Sequence, residues 1–153
     1  MALELNTIGI KLKYCVETTA GTRPTSGYTE IPDIKDTPDF DFNPSKQQVT
    51  NLSDSVHRYK EGVQDVGDSY DYLCNLTADL KTKWATLVSA AKTALASGKA
   101  TWFETYVPTL GSFYFAGMPN QLGMNKATVD GILETTLHIV PNQIVGFAES
   151  STT

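Results

Sequence analysis

Asp39, Asp41 and Asn43 stand at alternate positions of the run DFDFN, the spacing at which a calcium-binding loop begins to present its oxygens. Such a loop must turn sharply at its sixth residue and close with a bidentate carboxylate at its twelfth. Those positions hold Pro44 and Thr50, and no helical pattern precedes them, so the spacing does not make a calcium site. His57 and His138 could act as bases or zinc ligands, yet neither has a Cys or second His at ligand spacing. Serines and aspartates are present without a GxSxG elbow to sharpen a nucleophile. Neither GxxxxGK[ST] nor a strand-coupled GxGxxG occurs, so no loop is built to cradle phosphate. The expectation is a chain with no catalytic residue, no metal and no cofactor.

Cys15 and Cys74 have no CxxC partner. With no export signal ahead of them, the reading is two reduced thiols packed in strands. Asn51-Leu52-Ser53 and Asn75-Leu76-Thr77 match the glycosylation sequon, and without that signal they read as coincidence. Trp102, Phe103, Tyr106, Phe113, Tyr114 and Phe115 could form a stacking platform for sugars, as in a β-sandwich carbohydrate-binding module. Core packing between two strands is the simpler account of them.

The 153 residues suit one domain, taken as 1–150 with a flexible end at 151–153. The net charge of −5 excludes a basic face for gripping nucleic acid. The acids cluster: Glu30, Asp33, Asp36, Asp39 and Asp41 lie close together, as do Glu61, Asp65, Asp68 and Asp71. No apolar run approaches the length of a membrane helix, so membrane insertion is not expected.

The elements follow from periodicity. Ile8, Ile10, Leu12, Tyr14 and Val16 share one parity and predict a half-buried strand over 8–16. A Thr-, Pro- and Gly-rich stretch follows, with a short strand around Tyr28 to Ile34. From Pro44 to Asp65 neither period is sustained, and the stretch reads as a long irregular loop of the kind that carries function. Strand character resumes from Val66 to Leu76, with Tyr70, Tyr72, Cys74 and Leu76 on one side.

Leu80, Trp84, Leu87, Val88, Ala91 and Leu95 form one apolar stripe, predicting a helix over 78–97 with Thr77 as N-cap and Gly98 as stop. Strands are expected at 100–107 and 112–118. An alternating segment from Ala127 to Val140 follows, with Val129, Leu133, Leu137 and Ile139 on one parity. It should turn at Pro141-Asn142 before a last strand at 144–148. The sum is a mainly β fold, a sandwich or partly open barrel, with one flanking helix.

Four ordered stretches resemble bacteriophage major tail tube proteins of long-tailed phages: residues 12–40 with their ETTAGTRPT turn, 76–104, FYFAGMPNQLG and the closing IVPNQIVGFAES. The resemblance implies a tail-tube-like subunit that completes a multi-subunit β-barrel. Six copies would form a ring, and the rings would stack into a hollow conduit for double-stranded DNA during ejection. Its expected place is the tail of a virion, assembled in the host bacterial cytoplasm. Expected partners are further copies of itself, a tape measure protein inside the tube and terminator and tip or baseplate proteins at its ends. A contractile tail would add a sheath. The tube protein of a phage-tail-like bacteriocin or injection system would share this subunit.

Under that resemblance, segment 44–65 becomes an inter-ring stacking loop that orders on contact, with Ser53, Asp54, His57, Arg58 and Tyr59 as its contact residues. Asp65, Asp68 and Asp71 become candidates for an acidic lumen that lets DNA slide.

Overall fold

Alternating side chains over the chain's apolar stretches build seven strands into one antiparallel sheet. The computed structural model describes residues 8–40, 44–53, 55–64 and 69–152. In chain order the elements are β1 (Lys11–Val16), β2 (Thr29–Ile31), β3 (Ile34–Asp36), β4 (Pro44–Gln48), β5 (Tyr59–Gln64), β6 (Tyr70–Asn75), α1 (Ala78–Ala96), β7 (Thr101–Val107), β8 (Gly111–Pro119) and β9 (Glu134–Ala148). The sheet order is β2-β1-β7-β8-β9-β6-β3, and β4 pairs with β5 in a separate ribbon.

The two sheet edges, β2 and β3, are neighbours in sequence, so the chain itself steps from one edge to the other. That step rolls the sheet into a nearly closed barrel. Asp33 makes the corner with φ 66°, a conformation that aspartate tolerates better than most residues. Its carbonyl accepts the Asn75 N–H at 3.0 Å, and its carboxylate accepts the Thr77 hydroxyl at 2.7 Å. Thr77 also caps α1, accepting the Leu80 N–H at 3.2 Å. One short contact set thus joins the barrel seam to the helix start.

Helix α1 supplies Leu80, Trp84 and Leu87 to a core shared with Leu12, Ile31, Tyr72, Phe103, Phe115, Leu137 and Ile139. Each such buried apolar side chain contributes about 1.5–3 kcal/mol relative to exposure. Trp84 also donates its indole N–H to the Asn120 carbonyl at 2.8 Å, tying the helix to the end of β8. The stripe differs from the sequence reading at its C-terminal end. Ala94 is buried there, while Leu95 is exposed.

β7 and β8 are buried on both faces. Phe103, Phe113 and Phe115 face the helix, whereas Trp102, Tyr114 and Ala116 form a second small cluster with Tyr28, Ala100 and Ala148. This second face is roofed by the loop after β1 and by the C-terminal residues.

Several sequence expectations change. β1 starts at Lys11, with Ile8 exposed ahead of it, and the strand expected at 28–34 is two strands on opposite sheet edges. β6 starts at Tyr70; Val66 lies outside the described residues. Pro141-Asn142 is no turn, because β9 runs straight through it. The register slips at two places, Ala116/Gly117 and Tyr114/Phe115, so β9 carries its proline at a bulge, where a missing N–H disrupts no ladder. Gly146, at φ 88°, serves the second slip, and a Cβ on Gly117 would stand 2.5 Å from the Val140 carbonyl oxygen. Val129 and Leu133 precede β9 and are exposed.

The segment read as irregular over 44–65 contains the β4–β5 ribbon, paired from Pro44↔Gln64 to Gln48↔Tyr59. Residues 151 and 152, expected to fray, are hydrogen-bonded to the body. Among the described residues no helix is long and apolar enough to cross a membrane.

Candidate assembly surfaces

The candidate residues singled out in the sequence are spread over several parts of the fold. Among the described residues no three His, Cys, Asp or Glu side chains gather to hold a metal. Asp39 is exposed, and Asp41 and Asn43 lie outside the described residues. Cys15 sits half-buried in β1 and Cys74 fully buried in β6, both as free thiols. Burial pushes both thiols above their ordinary value, and Cys74 reaches about 12 with the nearby Asp33 charge adding to the effect. Neither is primed as a nucleophile.

The β4–β5 ribbon forms an arm whose tip spans residues 49–58. Inside it, the Val49 N–H donates to the Arg58 carbonyl at 2.9 Å, and the Arg58 N–H donates to the Thr50 hydroxyl at 2.8 Å. His57 Nδ1 lies 2.8 Å from Gln48 Nε2. Of the residues expected to make the inter-ring contact, Ser53, His57, Arg58 and Tyr59 are exposed on this arm, and Asp54 lies outside the described residues. Val49, Leu52 and Val56 are exposed as well. A lone two-stranded ribbon is marginal in water, so this one carries more apolar surface than its own pairing explains.

Of the three acids considered for a lumen, Asp65 and Asp68 lie outside the described residues. Asp71 is exposed on β6, on the face opposite the buried Tyr70, Tyr72 and Cys74. The β6–β9 register sets it against His138, with carboxylate and Nδ1 2.6 Å apart, and Ser69 donates a second hydrogen bond at 2.8 Å. Partial burial pushes its carboxyl up, but the His138 and Ser69 hydrogen bonds and the imidazole's charge outweigh this and hold it below the usual aspartate value. Nothing in sequence revealed that partnership, since it depends on a nonlocal register.

β9 offers a further surface. Its residues 134–139 pair with β6 and its residues 139–148 with β8, so beyond Ile139, residues 144–148 included, it pairs on the β8 side alone among the described residues. Val145 and Phe147 are exposed along this stretch, Phe147 by 64%. Phe147 nevertheless meets Phe113 edge-on at 5.4 Å, so its ring is held against the barrel while its far side faces outward.

The roof over β7 and β8 is pinned by two buried acids that the sequence reading passed over. Glu17 accepts the Trp102 indole N–H at 2.9 Å and the Gly21 N–H at 2.7 Å. Glu104, 0% exposed, accepts the Tyr114 hydroxyl at 2.8 Å, the Ser151 N–H at 2.9 Å and the Ser151 hydroxyl at 2.6 Å. The Arg23 guanidinium lies over the Tyr114 ring at 4.2 Å. This contact gives the TRPT turn after β1 a physical role, as the cover of a polar layer.

No protein-family model matches the chain, and no curated protein matches it. Solved structures do. A chain in the tail of an empty gene transfer agent particle, refined with C6 symmetry, is 16% identical, covering 95% of this chain and 100% of its own length with a TM-score of 0.58. A chain of the six-fold symmetrised anti-feeding prophage baseplate is 8% identical over 97% and 98%, with a TM-score of 0.60. One in the virion of the native gene transfer agent is 15% identical over 95% and 100%, with a TM-score of 0.58. The chain has the fold of these tail-particle proteins. The resemblance to tail tube proteins read from the sequence thus extends to the fold, end to end.

Proposed function

We propose that the chain is a structural subunit of a tail tube, in which six copies close into a ring and the rings stack into a hollow conduit. The observation that carries this reading is the end-to-end fold correspondence with chains from six-fold symmetric tail assemblies. The one-sided pairing of residues 144–148 supports it, because an unpaired strand edge invites a strand from a neighbour and a ring of copies leaves none exposed. The role is structural, and the conduit carries double-stranded DNA into the host. Assembly takes place in the host cytoplasm. A tape measure protein lies inside, terminator and tip proteins stand at the ends, and a contractile tail adds a sheath. The carbohydrate-binding reading loses its support, since Trp102, Phe103, Phe113, Tyr114 and Phe115 are buried against one another and offer no platform.

Negative-stain electron microscopy of the concentrated protein should show six-fold rings and hollow tubes. A chain that stays monomeric with tail initiator proteins present would sink the proposal. The face bearing Asp71 is assigned to the lumen, where its negative charge keeps DNA from binding. Asp71→Lys should slow ejection from tails of normal length, because each added cation gives the phosphate backbone another contact to release. Unchanged ejection kinetics would remove Asp71 from the lumen.

A further inference from the structure

A row of aromatic rings runs from the open edge of β9 to the base of the arm. Phe147 and Phe113 are partners across the β8–β9 pair and so share the core face, yet Phe113 is buried and Phe147 is exposed. Their rings meet edge-on at 5.4 Å. Phe113 stacks on Phe40 at 4.4 Å, and Phe40 meets Tyr70 edge-on at 4.9 Å. Phe40 precedes β4 and Tyr70 opens β6, so these last two rings hold together the two legs of the β4–β5 arm. A densely packed interior transmits a displacement from one such ring to the next.

The far end of the row carries an unpaired group. The Tyr70 hydroxyl is buried and has no hydrogen-bond partner among the described residues. Burial alone pushes its pKa up to about 12, with no hydrogen bond working against the shift. A hydroxyl left in this way carries its full desolvation cost, and native folds keep few of them. Such a cost points to a second arrangement of the same rings in which the hydroxyl finds an acceptor, and packed clusters switch between discrete arrangements instead of deforming smoothly. Phe147 is the member of the row that a neighbour can reach. A copy pairing along 144–148 covers its outward side and presses it against Phe113.

We infer that the row Phe147–Phe113–Phe40–Tyr70 is a conformational relay, through which a neighbour seated on the β9 edge resets the base of the arm and gives the Tyr70 hydroxyl its partner. This rests on the tube reading and adds an order of events to it. An arm takes its assembled setting once its own subunit has a neighbour in the ring. The relay is a population shift, since the neighbour favours the second arrangement by the contacts it makes there and by nothing else.

Two conservative variants test the relay, singly and combined, with sedimentation measuring the protein concentration at which tubes form. Tyr70→Phe removes the unpaired hydroxyl and should raise the melting point of the free subunit by about 4 °C. It should nevertheless raise the concentration needed for tubes about tenfold, a conflict that a purely structural hydroxyl would not produce. Phe147→Leu keeps an apolar side chain at the edge and should also raise that concentration about tenfold. Together they should cost about tenfold and not about a hundredfold, because either one breaks the same relay. Val145→Ala lies on the same exposed edge but outside the row, and its effect should multiply with that of Tyr70→Phe. A lower melting point for Tyr70→Phe, or effects of Tyr70→Phe and Phe147→Leu that multiply, overturns the relay and leaves the tube reading standing. An unaltered chain that forms no tubes with tail initiator proteins present overturns both.

Discussion

Replacing Glu104 with alanine is expected to lower the unfolding free energy at pH 7 by about 3 kcal/mol, with a melting point lower by about 8 °C. The cause is the set of donors left without an acceptor. Tyr114 can turn its hydroxyl to the Glu149 carbonyl, 2.7 Å away, and Ser112 keeps Ser150 at 3.0 Å. The Ser151 N–H and hydroxyl have no such alternative among their observed bonds, so the loss falls on the C-terminal strap. Thr152, which bonds the Thr25 carbonyl at 3.1 Å, should loosen with it.

The pH dependence separates this account from a simple cavity. Burial pushes the Glu104 carboxyl up, but hydrogen bonds from Ser151, Ser112 and Tyr114 prevail and hold it below the usual glutamate value. A carboxyl lowered in the folded state stabilises the fold above its unfolded value of about 4.3 and loses that contribution as the pH falls through the folded value. The gap between wild type and Glu104→Ala should therefore be widest at neutral pH and shrink on acidification. Urea unfolding from pH 7 downwards measures it. A gap that is the same at every pH would mean that Glu104 acts by volume alone.

Glu104 also marks where the sequence stopped being readable. The run TWFETY reads by its aromatic residues alone, and nothing local marks an acid among them as interior. Both faces of β7 are covered here, the second by segments remote in sequence, so the acid is interior. The helix was legible because its stripe and caps are local, β1 and β6 because their inward parity is kept, and β7 and β8 because they are rich in aromatic and β-branched residues. The β4–β5 arm was not, because exposed apolar and polar residues on it follow no burial pattern. The course of β9 was misread for a different reason. Pro-Asn resembles a turn in isolation, and only the partner strand β8 makes it a bulge. Of the assembly surfaces, the arm could be suspected from a long polar stretch, whereas the Asp71–His138 pair arises from a register between distant segments.

Shortening the arm should divide assembly into its two steps. Gln48 and Tyr59 face each other in the ribbon, so residues 49–58 can be replaced by Asn-Gly, a two-residue turn that suits the twist of an antiparallel pair. The removed residues lie outside the core, and the unfolding free energy of the subunit should stay within about 0.5 kcal/mol of its original value. Ring closure, proposed above to engage the edge of β9, should survive. Stacking should fail: six arms per ring act together, so their loss removes a multivalent contact rather than one weak one. Sedimentation and microscopy should then find folded rings without tubes at concentrations where the full chain gives long ones. Tubes of ordinary length from the shortened chain would place stacking elsewhere, and the exposed Leu52 and Val56 would need a different partner. Rings lost together with tubes would mean that the arm also braces neighbours within a ring, and that closing and stacking are one cooperative event.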